Sequence, residues 1–350
     1  MWVELLVIGI KLAAVLAALL TAVPIMVWVE RRASALMQDR LGPNRVGPFG
    51  LFQPVIDAVK LITKEDLIPS NVSRFLYMLA PAMALTVALS TFIAVPFGND
   101  SGLELFGHPV RGFIVAPDLN IGVLYIFAIS SLAVYATVLA GWSSNNKYSM
   151  LGGIRASAQT ISYELAMTIS VVGVLMASSS LHLHPVVESQ AGTWLGVLPR
   201  WNVCTQILGA LTFIVAAFAE TNRVPFDLPE AEAELVSGYM TEYSSMKYAA
   251  FFMGEYVHMM VSSALITTLF FGGWTLPWID LPFSGWLGGL LSIGIFTAKV
   301  AFFLFLFVWV RWTLPRFRFD QLMALGWKVM VPLAVLNFLW VGVAMAAGIL

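Results

Sequence analysis

Long apolar runs constrain this chain more than any other feature. Eight stretches, at about 3–29, 75–97, 119–141, 158–180, 203–220, 248–273, 287–311 and 327–348, are long enough to cross a bilayer. A hydrocarbon core of ~30 Å needs about 20 apolar residues at ~1.5 Å each. Composition agrees: 59% of residues are hydrophobic and 11% are charged, whereas soluble domains carry roughly 25% charged residues. The expectation is an all-α polytopic membrane protein, one transmembrane helical domain over residues 1–350. Pro24, Pro81 and Pro332 fall inside spans, where a bundle re-satisfies the backbone groups that proline frees. The first run, Val3 to Val29, is too long for a signal-peptide core and lacks a small-residue cleavage pattern. A net charge of −1 excludes a strongly basic nucleic-acid binder. Cys204 is the only cysteine, so an internal disulfide, a Cys-rich zinc site and an iron–sulfur cluster are excluded.

Basic residues set the expected orientation. The odd loops, about 30–74, 142–157, 221–247 and 312–326, hold Arg31, Arg32, Arg40, Arg45, Lys60, Lys64, Arg74, Lys147, Arg155, Arg223, Lys247, Arg316 and Arg318. The even loops hold only Arg111 and Arg200. The odd loops therefore face the cytoplasm, and both termini face outward.

The stretch Ala219 to Tyr243 carries Glu220, Asp227, Glu230, Glu232, Glu234 and Glu242, six of the chain's twenty acidic residues. Carboxylates beside a bilayer are costly to keep ionised without compensation. Pro225 and Pro229 forbid one continuous helix through the loop. Asp227 and Glu230 have capping-box spacing, which predicts a short helix starting there. Asp227, Glu230 and Glu234 then share one face, and Glu232 turns away. The plainer alternative is a helix cap followed by a solvated charged face. Arg223 alone cannot compensate so many acids. Glu255, in FFMGEY, and Glu164, in ISYELAMTIS, add carboxylates within or near spans. Crowded carboxylates raise one another's pKa, and a row of them with water is what a proton path requires.

Other ionisable groups admit two readings each. Glu164 is a functional carboxylate or half of a structural pair. Lys299 sits too deep to snorkel and is expected to meet Glu164 or Glu255. Lys11 snorkels from near a span end. His182 and His184 form a His-x-His pair with no evident third ligand, and only His258 lies within a span, which argues against haem. Phe52 to Lys64 reads as a short amphipathic helix: Phe52, Val55, Ile56, Val59 and Ile62 on one face, Gln53, Asp57, Lys60 and Lys64 on the other. Too short to span, it is expected in the interface plane, either capping the bundle or forming a lip for a lipid-soluble substrate. Loop three, with GWSSNNKYSMLGGIRASAQ, reads as a polar surface.

Several blocks, in order, carry a family resemblance: ERRASALMQDRLGPNRVGPFGLFQPVIDAVKLITKE, QTISYE, AETNRVPFDLPEAEAELVSGYMTEY, FFMGEY and PRFRFDQLM. They resemble the family of quinone-binding membrane subunits of respiratory complex I, in its bacterial form. The resemblance implies a multi-pass component of a proton-pumping NADH:quinone oxidoreductase in the bacterial inner membrane, with both termini periplasmic. It implies ubiquinone or another quinone as substrate and no cofactor held by this chain alone. Partners would be hydrophilic iron–sulfur and quinone-module subunits on the cytoplasmic side, antiporter-like membrane subunits, and lipids. Arg31, Phe226, Phe252, Met253 and Arg311 would border the quinone passage. Glu164, Glu220, Asp227, Glu230, Glu232, Glu234 and Glu255 match the family's acidic funnel; Lys299 would join them in proton coupling. Alternatives are the homologous component of a membrane-bound hydrogenase-type complex, a free-standing secondary transporter, or a structural anchor. The transporter predicts inverted repeats, and residues 1–175 and 176–350 show no such similarity.

Overall fold

A computed structural model describes residues 2–99, 104–105, 108–109, 114–116, 119–194, 196, 198–227, 236–278 and 285–348. The predicted helix at Asp227–Glu234 falls largely outside them. The chain opens with α1 (Trp2–Met37), a single helix through Pro24. Then come the short α2 (Gln53–Thr63), α3 (Arg74–Ser90), α4 (Gly122–Ser143) and α5 (Lys147–Ser178). A turn of helix, α6 (Leu183–Glu188), precedes α7 (Asn202–Thr205) and α8 (Ile207–Glu220). The last long helices are α9 (Ser245–Phe270), α10 (Trp286–Thr313), and α11 (Phe319–Leu325), which runs through a π turn at Gly326–Met330 into α12 (Val331–Ala346). Two antiparallel ribbons of two-residue strands pair Glu104–Leu105 with His108–Pro109 and Thr193–Trp194 with Leu198–Pro199.

Among the described residues, seven helices are long and apolar enough to cross a membrane. The fifth expected span departs from the expectation. Its run is broken at Gln206 (φ −131°, ψ 52°), leaving α8 only 14 residues long, or ~21 Å. The break serves a buried polar pair: the Gln206 side-chain carbonyl accepts from Asn337 Nδ2 of α12 at 3.4 Å. Gly209 lets Asn337 lie against α8, where a Cβ would come within 2.6 Å of its amide nitrogen.

The expected loop at 142–157 is also corrected. Only residues 144–146 separate α4 from α5. Asn146 caps α5 by accepting from the Tyr148 amide at 2.9 Å, so Lys147 to Ser157 is helix. Glu164 therefore lies roughly four to five turns from the start of its helix.

The most enclosed of the seven long helices is α9, with 72% of its most apolar window buried against 22% for α1 and for α10. It packs on α3 and α10, while α5 packs on α4, α8 and α12. The outer helices are apolar all round, as spans facing lipid are: Leu5, Leu6, Ile8, Phe302, Leu336 and Leu339 point outward.

The amphipathic helix forms where periodicity places it, within a residue at each end. Its apolar face points away from the bundle, with Val55, Ile56, Val59 and Ile62 all about half exposed or more. A helix capping the bundle would bury that face. Gln53 and Asp57 of its polar face turn inward, where Asp57 accepts from Arg31 at 2.5 Å and from Gln53 at 3.3 Å, while Lys60 and Lys64 stay exposed. Its far end is tied to α9, with Ser245 donating to the Leu61 and Lys64 carbonyls.

Candidate functional site

Helices α1, α2 and α9 enclose a cavity of about 430 Å³. α1 contributes Leu20, Val23, Pro24, Val27 and Arg31, α2 contributes Pro54, Asp57 and Leu61 among others, and α9 contributes Tyr248, Ala249, Phe252 and Met253. The lining is apolar except at the α2 edge, where Arg31, Asp57 and Lys60 stand. Such a cleft suits a lipid-soluble molecule with a polar head. Arg31, Phe252 and Met253, expected together from the sequence, share this lining. Phe226 does not. It is buried against Tyr163 and Phe317, with ring centroids at 5.3 and 5.6 Å, and its carbonyl accepts from Gln159.

Beyond Phe252 lies a buried ionic cluster. The Phe252 ring packs edge-on against Tyr256, centroids 4.9 Å apart. Tyr256 donates to Glu30, as does Arg311. Arg223 Nη1 reaches both Glu30 oxygens, at 3.2 and 3.3 Å, and its guanidinium lies 4.3 Å over the Tyr256 ring. Glu30 and Arg223 are 6% and 5% exposed. Burial alone lowers the Arg223 pKa, but facing Tyr256 and Glu30 outweigh it and hold the guanidinium above its ordinary value. Arg311 thus belongs to this cluster, next to the cavity and not on its lining. Arg223 is committed to Glu30. Glu30 itself escapes the sequence reading: it sits one residue past the expected end of the first span and looks like an ordinary loop carboxylate.

A second, smaller cavity of about 50 Å³ sits between α3, α4, α5, α8 and α9. Glu220, Glu255 and His258 line it, with Ser130, Thr137, Thr160, Asn222 and Tyr239. Glu255 accepts from the Tyr239 hydroxyl at 3.3 Å. Tyr239 is placed by backbone contact with α5: its carbonyl accepts from Ser149 at 3.2 Å, and a Cβ on Gly152 would come within 2.6 Å of Gly238 Cα. Only glycine at 152 permits that approach. Glu220 accepts from Ser130 and feels the charge of Glu164, which itself accepts from Ser131. Glu255 in turn is within electrostatic reach of Arg223. The structure therefore brings Glu164, Glu220 and Glu255 into one polar row that ends at the Glu30 cluster.

The remaining candidates distribute as follows. Asp227 pairs with Arg316 at 2.9 Å, and Phe317 N donates to the Pro225 carbonyl, so the start of the acidic stretch is clamped to the segment after α10. Glu230, Glu232 and Glu234 lie outside the described residues. Glu242 accepts from Asn146 at 2.6 Å. Lys299 does not meet Glu164 or Glu255. It donates to the Phe271 and Thr275 carbonyls at 2.8 and 2.6 Å and sits 4.6 Å over Trp201. Phe271 caps the C-terminus of α9, and a cation is favoured there by the helix dipole. His184 stacks near Trp274 at 5.0 Å and lies 3.6 Å from Glu188.

Known proteins resemble this chain along nearly its whole length. The NADH dehydrogenase family model matches residues 10–342. NADH-quinone oxidoreductase subunit 8 of Rhodothermus marinus is 48% identical over 336 residues, covering 94% of each chain. An NADH-quinone oxidoreductase subunit of Cytophaga hutchinsonii is 48% identical over 316 residues, covering 90% of each. Its counterpart in Bdellovibrio bacteriovorus is 45% identical over 364 residues, covering 95% of this chain and 94% of its own. With family match and relatives both running nearly end to end, the chain belongs to the NADH dehydrogenase family.

Proposed function

We propose that this chain is the membrane subunit through which a proton-pumping NADH:quinone oxidoreductase admits quinone and couples its reduction to proton movement. The observation that carries the reading is adjacency. An apolar cavity under an interfacial helix shares the Phe252–Tyr256 wall with a buried Glu30–Arg223–Arg311 cluster. That cluster continues electrostatically to Glu255, Glu220 and Glu164. The isoprenoid tail occupies the apolar cavity, and Arg31 and Lys60 meet the polar side of its mouth. Electrons reach the head group from iron–sulfur subunits docked on the cytoplasmic, Arg- and Lys-rich end. Both termini lie on the periplasmic side, and antiporter-like membrane subunits receive the signal.

Reduction of a quinone adds negative charge in a low-dielectric setting. Unit charges ~4 Å apart interact by about 4 kcal/mol at an effective dielectric of 20. That equals roughly 3 pKa units on a neighbouring carboxylate. Charge on the head group perturbs the Glu30 cluster first, and the carboxylate row responds by changing its proton occupancy. Lys299, held by carbonyls on the far side of α9, takes no part in the first of these steps.

The test uses the complex purified from native membranes. A photoreactive quinone should label the α9 segment 246–253 and residues 20–31 of α1, and peptide mass spectrometry of the same preparation should find an NADH-oxidising module. Label confined to other subunits, or co-purification of a hydrogenase instead, overturns the reading.

A further inference from the structure

The small cavity holds one group that the carboxylate scheme leaves unused. His258 lines it, one helical turn beyond Glu255 on the same face of α9. Its Nε2 is sealed from solvent and has no hydrogen-bond partner among the described residues. A buried polar atom without a partner costs about 1–3 kcal/mol, so its presence calls for a reason. Packing alone does not supply one, because a phenylalanine or leucine fills apolar space without an orphan nitrogen.

The surroundings are polar. α8 contributes Glu220, Thr221 and Asn222 follow it, α9 contributes Glu255, and the turn before α9 contributes Tyr239; Ser130 and Thr137 of α4 and Thr160 of α5 add further hydroxyls. Among the described residues, the titratable groups facing the imidazole are thus Glu220, Glu255 and Tyr239, with Arg223 acting on Glu255 from outside the cavity. The volume, about 50 Å³, exceeds the ~10–15 Å³ that one water needs. The space is therefore large enough for a water molecule to link groups that do not touch directly.

Building on the carboxylate scheme, we propose that His258 is a proton-relay group between Glu255 and Glu220. One proton leaves the Glu255 carboxyl and binds His258 Nε2 through water, giving an imidazolium beside a carboxylate. The same proton then leaves Nε2 for the Glu220 carboxylate, restoring the neutral imidazole. No electron moves, and one proton enters and leaves at the same nitrogen. An imidazole is suited to this because one ring nitrogen both takes up and releases a proton, where two carboxylates alone would compete for one proton.

The test compares H258Q, H258F and E255Q in the assembled complex reconstituted in proteoliposomes. Proton uptake and quinone-linked NADH oxidation are followed from pH 5.5 to 9. H258Q keeps side-chain polarity but cannot titrate. Expected is a severalfold loss of proton translocation with a changed pH profile in H258Q, and loss of an imidazole protonation band in redox-induced infrared difference spectra. A merely structural histidine leaves the profile shape and that spectrum unchanged in H258Q even if H258F assembles poorly, and this result overturns the relay. If E255Q pumps poorly while H258Q pumps with the parental pH profile, the relay fails and the carboxylate scheme stands. If E255Q also pumps normally, both fail.

Discussion

Glu30 and Arg223 meet across the bundle from distant parts of the sequence, with Arg223 Nη1 3.2 and 3.3 Å from the two Glu30 oxygens. Both side chains are sealed from solvent, and Arg311 and Tyr256 complete the carboxylate's shell. Removing one partner from a buried ionic network costs about 3–5 kcal/mol, because the other charge stays behind. Glu30→Gln leaves the buried Arg223 guanidinium and the partly exposed Arg311 guanidinium facing one amide. Arg311→Lys keeps a cation beside Glu30. The expected order of thermal stability of the purified complex is therefore wild type, then R311K, then E30Q. An E30Q complex as stable as the parent would mean that the cluster is solvated in the membrane.

Quinone affinity should respond to filling the cavity rather than to charge alone. Ala249 lines it from α9, between Tyr248 and Phe252. Ala249→Trp inserts a side chain into the space assigned to the isoprenoid tail. The expected outcome is a KM for a long-tailed quinone raised at least tenfold, with a smaller effect on a tailless analogue. Reduction of a water-soluble acceptor by the hydrophilic module should not change.

The Arg31–Asp57 pair offers a contrast in energetics. Arg31 is 45% exposed and Asp57 23%, so the pair contributes less than about 1 kcal/mol to stability. Its role is to hold α2 against α1 at the cavity mouth. Asp57→Asn should leave the melting temperature within a degree or two while raising the quinone KM severalfold. A large stability loss without a KM change would reassign the pair to folding.

Local features are legible in the sequence, and long-range ones are not. The interfacial helix can be read to within a residue at each end because its 3.6-residue period is a property of adjacent positions. Its orientation, with Asp57 inward and the apolar face outward, is visible only with Asp57 against Arg31. The break at Gln206 is hidden by continuous hydropathy: a glutamine inside an apolar run carries no sign that Asn337, 131 positions later, will draw it out of the helix. Loop three misleads for a related reason. Ser149, Gly152 and Gly153 look like surface residues, yet Ser149 and Gly152 are small so that Gly238 and Tyr239 can press against α5, and Gly153 lets α4 approach at Gly141. Arg31, Phe252 and Met253 come from the family resemblance alone, and they line one cavity. Glu30 escapes a local reading because its meaning depends on Arg223 and Arg311, which no window around residue 30 contains. Lys299 finds backbone carbonyls at a helix end instead of a carboxylate, and such carbonyls leave no trace in composition.

Alkaline stability follows from Tyr243, outside the spans. Burial pushes its phenol up to about 12, against the opposing effect of Ser143 and Ser144 hydroxyls. It stacks on Tyr77 with centroids 4.2 Å apart. The unfolded chain loses this proton near pH 10, two units before the folded one. The contribution is therefore complete below about pH 10 and disappears as pH rises toward 12. Tyr243→Phe should flatten the decline in melting temperature over that range, measured on the purified complex. An unchanged slope would place the tyrosine in contact with water.

Coupling should fail at Glu220 and Glu255 before electron transfer to artificial acceptors does. Both carboxylates line one small cavity, with Glu164 acting on Glu220 from α5 and Arg223 on Glu255 from the other side. Glutamine preserves shape and hydrogen bonding but holds no exchangeable carboxyl proton. E220Q and E255Q should each lower quinone-linked proton translocation at least tenfold in the assembled complex. NADH oxidation by a water-soluble acceptor should persist, because that reaction ends before the membrane. Asp227→Asn should act differently: it loosens the 2.9 Å clamp to Arg316 and should be partly rescued by Arg316→Gln, which removes the unpaired cation. Failure of that rescue, together with a pumping defect equal to that of E220Q, would move Asp227 from the clamp into the proton path itself.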